Sequence, residues 1–202
     1  MVKKVQRRDE IVVKFAGDSG DGMQLTGSLF ADMAAKTGLD LATFPDYPAE
    51  IRAPQNTLAG VSGFQVRIGS KKIESTGDQC DILVAMNPAS LKANLKWMKP
   101  GGTIIVDTDT FTPETNQKAG FSENPLENGT LDKYYLIKAP VTTLTKEALK
   151  KLQLDGKSKE RTRNMFVLGF ICYLMSWKTV PLLAYLREKF KKKPQLAEAN
   201  IL

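Results

Sequence analysis

The chain contains no histidine. That removes the commonest general base near neutral pH and the commonest metal ligand. Catalysis by this chain would need carboxylates, lysine or a cofactor held elsewhere. Cysteine is nearly absent as well: only Cys80 and Cys172 occur, far apart and in no CxxC pair. The pattern argues against a disulfide framework, and against a zinc or iron–sulfur site built by this chain alone. Two lone thiols suit buried free cysteines in a reducing compartment, so a cytoplasmic location is expected. Long hydrophobic runs are missing. The longest, NMFVLGFICYLMSW at residues 164–177, is shorter than the ~20 residues a spanning helix needs. It reads as a buried helix, and no membrane partner is expected. The N-terminal MVKKVQRRDE is charged, but no apolar core with a cleavage site follows, so it does not read as a secretory signal.

What is present is ordinary for a globular protein: 202 residues, 42% hydrophobic and 25% charged. That length supports one good core rather than two. The net charge is +7, and much of the excess lies in REKFKKKP at residues 187–194. Such a run reads as a solvated helix end or a linker. No aromatics interleave with the basic residues in a nucleic-acid-binding pattern, so no nucleic-acid partner is expected.

Along the chain, apolar runs alternate with helical patterns. Residues 11–15 form a short apolar run ending at glycine, which reads as a buried strand. Asp21 is placed to cap a helix over about residues 22–36, which Gly38 would end. Residues 39–44 read as a second strand, giving a βαβ unit with parallel strands. FPDYPAEIRAPQNT at residues 44–57 is a structured loop long enough to carry function. Phe64, Val66 and Ile68 alternate, and Gly69–Ser70 could turn a hairpin. CDILVAMN (residues 80–87) and TIIVDTD (residues 103–109) are core strands, with a helix starting at Pro88 between them. Residues 111–133 are polar and turn-rich, an excursion on the surface. A further strand at residues 134–140 precedes helices expected at residues 145–152, 162–177 and 181–191. The expected fold is α/β: a Rossmann-like three-layer domain with a mainly parallel sheet and one antiparallel hairpin.

The loop after the first strand, GDSGDG at residues 17–22, occupies the position where nucleotide-binding proteins hold phosphate. Neither phosphate motif is complete. In the dinucleotide fingerprint the third glycine should follow Gly20 and Gly22, but Gly27 comes two residues late. In the P-loop pattern Gly17 and Gly22 are correctly spaced, but Met23 stands where lysine is required. Asp18 and Asp21 could themselves occupy the favourable position at the helix N-terminus, where a phosphate would meet like charge. The loop therefore fits either a ligand contact or a tight turn against another domain.

Four stretches in order carry a resemblance: GDSGDGMQLTG (17–27), PAEIRAP (48–54), CDILVAMN (80–87) and RNMFVLGF (163–170). Together they resemble the gamma domain of the 2-oxoacid:ferredoxin oxidoreductases, the pyruvate and 2-oxoglutarate synthase family. The resemblance covers roughly residues 11–186. DYPAEIRAP looks most like the fused alpha subunit of 2-oxoglutarate:ferredoxin oxidoreductase, in which a gamma domain precedes an alpha domain. There are departures. Many members have Gly-Gly after the arginine, where Ala53 and Pro54 follow Arg52 here. Many have Gly-Gly-Gln-Gly in the loop; the aspartate-rich form here matches the 2-oxoglutarate-like branch.

The resemblance implies an assembly in which thiamine diphosphate attacks a 2-oxoacid, CO2 leaves, iron–sulfur clusters take the electrons and coenzyme A takes the acyl group. Thiamine diphosphate, magnesium and the clusters would belong to partner domains or subunits, since this chain lacks their motifs. The implied partners are the alpha domain, the beta subunit and ferredoxin. Residues 1–190 would be the gamma domain and residues 191–202 a linker toward the alpha domain, the chain being an isolated domain or a truncation inactive by itself. The domain would contribute coenzyme A contacts through Gly17, Asp18, Ser19, Gly20, Asp21, Gly22, Arg52 and Asn164. Arg52 is the candidate for an anion contact, its fork suiting phosphate or carboxylate; an ion pair with Glu50 or a loop aspartate is the alternative. Asn164 could hold a loop or ligand, or cap its helix. Met165, Phe166 and Phe170 read as core. Two other readings compete: a free-standing nucleotide-binding α/β protein, and an interaction module whose loop binds nothing.

Overall fold

The computed structural model describes residues 7–50 and 52–202; the reading of the first residues of the chain as no secretory signal falls partly outside them. Six strands form one sheet in the order β2-β3-β1-β4-β5-β6: β1 Glu10–Asp18, β2 Asp40–Asp46, β3 Val61–Gly69, β4 Cys80–Ala85, β5 Met98–Asp107 and β6 Tyr135–Ala139. β1, β4, β5 and β6 pair in parallel, and β3 alone runs against its two neighbours. The expected α/β fold with a mainly parallel sheet and one antiparallel hairpin is what forms. Two details differ. The hairpin is β2–β3, joined across residues 47–60, and the turn expected at Gly69–Ser70 leads into no strand before Cys80. KKIES, which follows that glycine, has no apolar alternation to bury, and β3 already has strands on both sides. The second difference is that β1 and β2 run the same way without touching, because β3 lies between them.

The central strands are buried on both faces, as parallel strands must be. Val13, Phe15, Ile82, Val84 and Ile105 point into one core, while Val12, Ala16, Leu83, Ala85, Ile104 and Val106 point into the other. Helix α1 (Met23–Lys36) covers the first face with α6 (Arg163–Leu174) and α7 (Val180–Lys189). Phe30 lies edge-on to Phe15 at 5.5 Å and stacks on Trp177 at 5.0 Å, joining the last third of the chain to the first helix. The other face carries α2 (Pro88–Asn94), which starts at Pro88 as expected and is closed by a reciprocal Asn87–Ser90 capping box. The segment expected as a surface excursion also belongs to this face. It contains α3 (Pro113–Lys118), and it buries Phe111 and Leu131 over the second core while Phe121 and Leu126 pack beside them. Its scattered apolar residues have no periodicity, so only the tertiary fold shows them to be a cover.

Three shorter helices complete the chain: α4 (Val141–Ala148), α5 (Gly156–Glu160) and α8 (Pro194–Ala199), the last lying against α7 with Ala197 and Ala199 buried. α4 begins four residues before its expected start at residue 145. The cause is remote. The Asp107 and Asp109 carboxylates accept the N–H groups of Thr142 and Thr143, at 3.3 and 2.6 Å, and so satisfy the first turn from the end of β5. Cys80 and Cys172 are buried free thiols, as expected. Among the described residues no helix is long and apolar enough to cross a membrane.

Candidate functional site

The chain leaves β1 through α1 toward β2 on one side, and leaves β4 through α2 toward β5 on the other. The order of the sheet therefore reverses between β1 and β4, and open α/β sheets hold ligands outside the carboxyl ends of their strands at such a point. The glycine loop, residues 17–22, stands there. Gly20 and Gly22 have φ of 107° and 78°, a region closed to most side chains. A Cβ on Gly20 would meet nothing within 4 Å, whereas one on Gly22 would lie 2.4 Å from the Asn164 amide nitrogen. The loop is thus open at Gly20 and closed from behind at Gly22.

The expectation that Asp21 caps α1 is corrected. Gly22 is the capping residue, and no side chain accepts from the helix's first N–H groups. The Asp21 carboxylate is turned back under the loop, where one oxygen accepts the Asp18 N–H at 2.9 Å and the other accepts from Arg163 at 3.0 Å. Gly17 makes room for it: a Cβ there would sit 2.8 Å from that carboxylate. Asp18, also expected near the helix end, points instead to the β2–β3 connection and accepts the Asn56 N–H at 2.9 Å. Ser19 donates its N–H to the Gly60 carbonyl at 3.0 Å and leaves its side chain exposed. The two aspartates therefore shape the loop and leave the α1 amino end uncapped.

Arg163 joins three parts of the fold. Its second nitrogen donates to the Thr142 hydroxyl at 3.0 Å, and that hydroxyl donates to the Asp107 carboxylate at 2.6 Å. Arg163 lies 3.8 Å from the same carboxylate. Burial pushes both the Asp21 and Asp107 carboxyls above the ordinary aspartate value. Arg163, followed by the Asp18 N–H, opposes the rise at Asp21, and the bonds from Thr142 oppose it at Asp107. Neither Arg163, Thr142 nor Asp107 was expected at the site. A signal existed: arginine stands beside Asn164 at the head of the apolar run in RNMFVLGF, and aspartate ends the strand TIIVDTD, where carboxyl-end residues face ligands.

Asn164 is brought to the loop as expected. It is not the cap of α6, a position held by Thr162, and its amide reaches the Gly22 carbonyl at 3.5 Å. Its Oδ1, like Oδ1 of Asp18, is buried with no hydrogen-bond partner. Two orphaned acceptors at one glycine loop are unusual, since nearly all buried polar atoms are paired. Arg52 lies on the connection that Asn56 and Gly60 fasten to the loop, but its side chain is exposed and forms no ion pair among the described residues. The alternative pairing with Glu50 or a loop aspartate is not made. Met165 is buried, and Phe166 and Phe170 pack against the first core. Among the described residues no group of three or more acidic, cysteine or histidine side chains could hold a metal ion.

Fold and loop together define a Rossmann-like α/β domain with a glycine loop at the switch point of its sheet. The pyruvate ferredoxin/flavodoxin oxidoreductase family matches residues 12–202, and the chain belongs to that family. The 2-oxoglutarate oxidoreductase subunit KorA of Mycobacterium tuberculosis is 49% identical over 98% of this chain, which spans 30% of that protein's length. A solved 2-oxoglutarate:ferredoxin oxidoreductase from Magnetococcus marinus, with 2-oxoglutarate, coenzyme A and succinyl-CoA bound, superposes with a TM-score of 0.73 at 26% identity, covering 96% of this chain and 30% of that one. The gamma subunit of a keto/oxoacid ferredoxin oxidoreductase from Geobacter sulfurreducens shares the fold, with a TM-score of 0.61 at 20% identity and 94% of each chain covered.

Proposed function

We propose that this chain is the gamma-domain portion of a thiamine-diphosphate-dependent 2-oxoacid:ferredoxin oxidoreductase, acting on a 2-oxoacid such as 2-oxoglutarate in the cytoplasm. Its alpha domain and beta subunit would bring the thiamine cofactor, magnesium and the iron–sulfur clusters, and ferredoxin would take the electrons. Residues 1–190 would be the domain proper, and residues 191–202, whose α8 packs on α7, would lead on toward the alpha domain. Its own contribution is to hold coenzyme A, whose thiol accepts the acyl group.

The observation that carries this reading is the uncapped amino end of α1 beside the open Gly20, at the switch point of the sheet. Free amides at a helix N-terminus favour an anion such as a diphosphate. Coenzyme A carries a diphosphate and a further phosphate, the anions such an end would take. The residues present thus fit the phosphate part of such a ligand. The Gly17–Gly22 backbone holds its phosphate side, Asn164 fixes the loop from behind, and the unpaired Arg52 fork supplies an anion contact from the rim.

Calorimetric titration of coenzyme A into the intact chain tests this, with Arg52→Ala and Gly20→Ala in parallel and thermal melts confirming that both fold. Saturable binding weakened by both changes is the expected result. No saturable binding by a chain that melts cooperatively would remove the coenzyme from this loop and leave it as an interdomain contact.

A further inference from the structure

An aspartate one residue before the cap of a helix is drawn by the helix dipole toward the place an anionic ligand would use. Asp21 is in that position and does not go there. Both its carboxylate oxygens are engaged behind the loop, by the Asp18 N–H and by Arg163. The pair is largely enclosed, with side-chain exposures of 18% for Asp21 and 19% for Arg163. Arg163 is itself aimed by the Thr142 hydroxyl and by Asp107, whose side chain is fully buried. The charged groups around Asp21 are therefore Asp18 in the loop, Arg163 on α6 and, through Thr142, Asp107 at the end of β5.

We infer that Arg163 is a positioning residue: it holds the Asp21 carboxylate behind the glycine loop and so leaves the amino end of α1 open to the anionic part of a ligand. The ligand half of this inference rests on the coenzyme reading above; the positioning half stands on the geometry alone. Without Arg163, Asp21 is an uncompensated charge next to the helix end. The loop then repels an anion or caps itself.

Two measurements on the intact chain test the two halves. Backbone amide shifts are followed by NMR while the pH is raised through the carboxylate range. In the wild type the Asp18 amide follows Asp21 and the amides of Met23, Gln24 and Leu25 do not; in Arg163→Gln those three do. Coenzyme A affinity, read by calorimetry, falls about tenfold or more in Arg163→Gln, the scale of a charge at a helix end. Adding Asp21→Asn to Arg163→Gln restores most of it, because no carboxylate remains to be withdrawn. Arg163→Lys keeps the charge but loses the fork and falls between wild type and Arg163→Gln; it serves for both readings if the glutamine variant fails to fold. Helix-end amides in Arg163→Gln or Arg163→Lys that titrate as in the wild type would overturn the positioning. A double variant as weak as Arg163→Gln would reduce Arg163 to a structural role. If the wild type binds no coenzyme A, the coenzyme reading fails and the amide titration still decides the positioning.

Discussion

Gly27 lies where α1 crosses β3, and a Cβ there would sit 2.2 Å from the Phe64 ring. The ring cannot retreat, because it fills the core between helix and sheet. Gly27→Ala is therefore expected to destabilise the chain by about 1–3 kcal/mol, read as a lower urea midpoint with an unchanged slope. This is the close helix–strand packing that the third glycine of a dinucleotide fingerprint provides. Counting along the sequence places Gly27 two residues late for that motif, but helical geometry turns it to the sheet all the same. The role was legible in the residue type and hidden by the spacing. The two cysteines give a second expectation at this scale. Burial pushes both the Cys80 and Cys172 thiols up to about 11. Neither should react with an aromatic disulfide reagent near neutral pH faster than the chain opens, and labelling should rise with urea along the unfolding curve.

At the scale of elements, α4 shows what a sequence cannot disclose. Its first turn holds Thr142 and Thr143 and has no acidic residue of its own. The acceptors for its N–H groups come from Asp107 and Asp109, more than thirty residues earlier. No local pattern reports a cap made by another strand, so the helix starts before its apparent signal. By contrast α2 carries its cap in sequence, Asn87 with Ser90, and starts where expected. The Asp107 carboxyl sets a pH dependence whose sign is fixed. The folded chain holds the Asp107 proton more tightly than an unfolded chain does, so this group's stabilisation is greatest in acid and is lost as the pH rises through the raised value. Asp107→Asn has no such loss. The stability gap between wild type and this variant should shrink in paired thermal melts as the pH rises from the acid side of the ordinary aspartate range through the raised value. A gap that widens would show that the ion pair with Arg163 outweighs the cost of burial.

The molecule as a whole is tied together across its first face by Phe30, which touches Phe15 on β1 and stacks on Trp177 beyond α6. Trp177→Ala should cost less than the ~3–5 kcal/mol of a fully buried ring, since Trp177 is half-buried, and should lower the melting of the entire domain as one transition, since the ring joins first helix and last third through a single core. The layered α/β plan was legible because strands of this kind bury both faces and read as unbroken apolar runs. The position of β3 was not. Alternation in residues 61–69 marks a strand but says nothing of which neighbours it will have. Likewise the glycine loop announced a turn, whereas the arginine that governs its charge lies at the far end of the sequence.

The insertion of β3 between β2 and β1 has a consequence during synthesis. The strand at residues 10–18 leaves the ribosome well before residues 61–69 and 80–85, the only segments that flank it in the finished sheet. Translation at ~5–20 residues per second leaves this apolar ribbon for seconds with α1 as its only nearby companion. A nascent chain stalled before residue 61 should therefore be a far stronger client for holding chaperones than the completed chain.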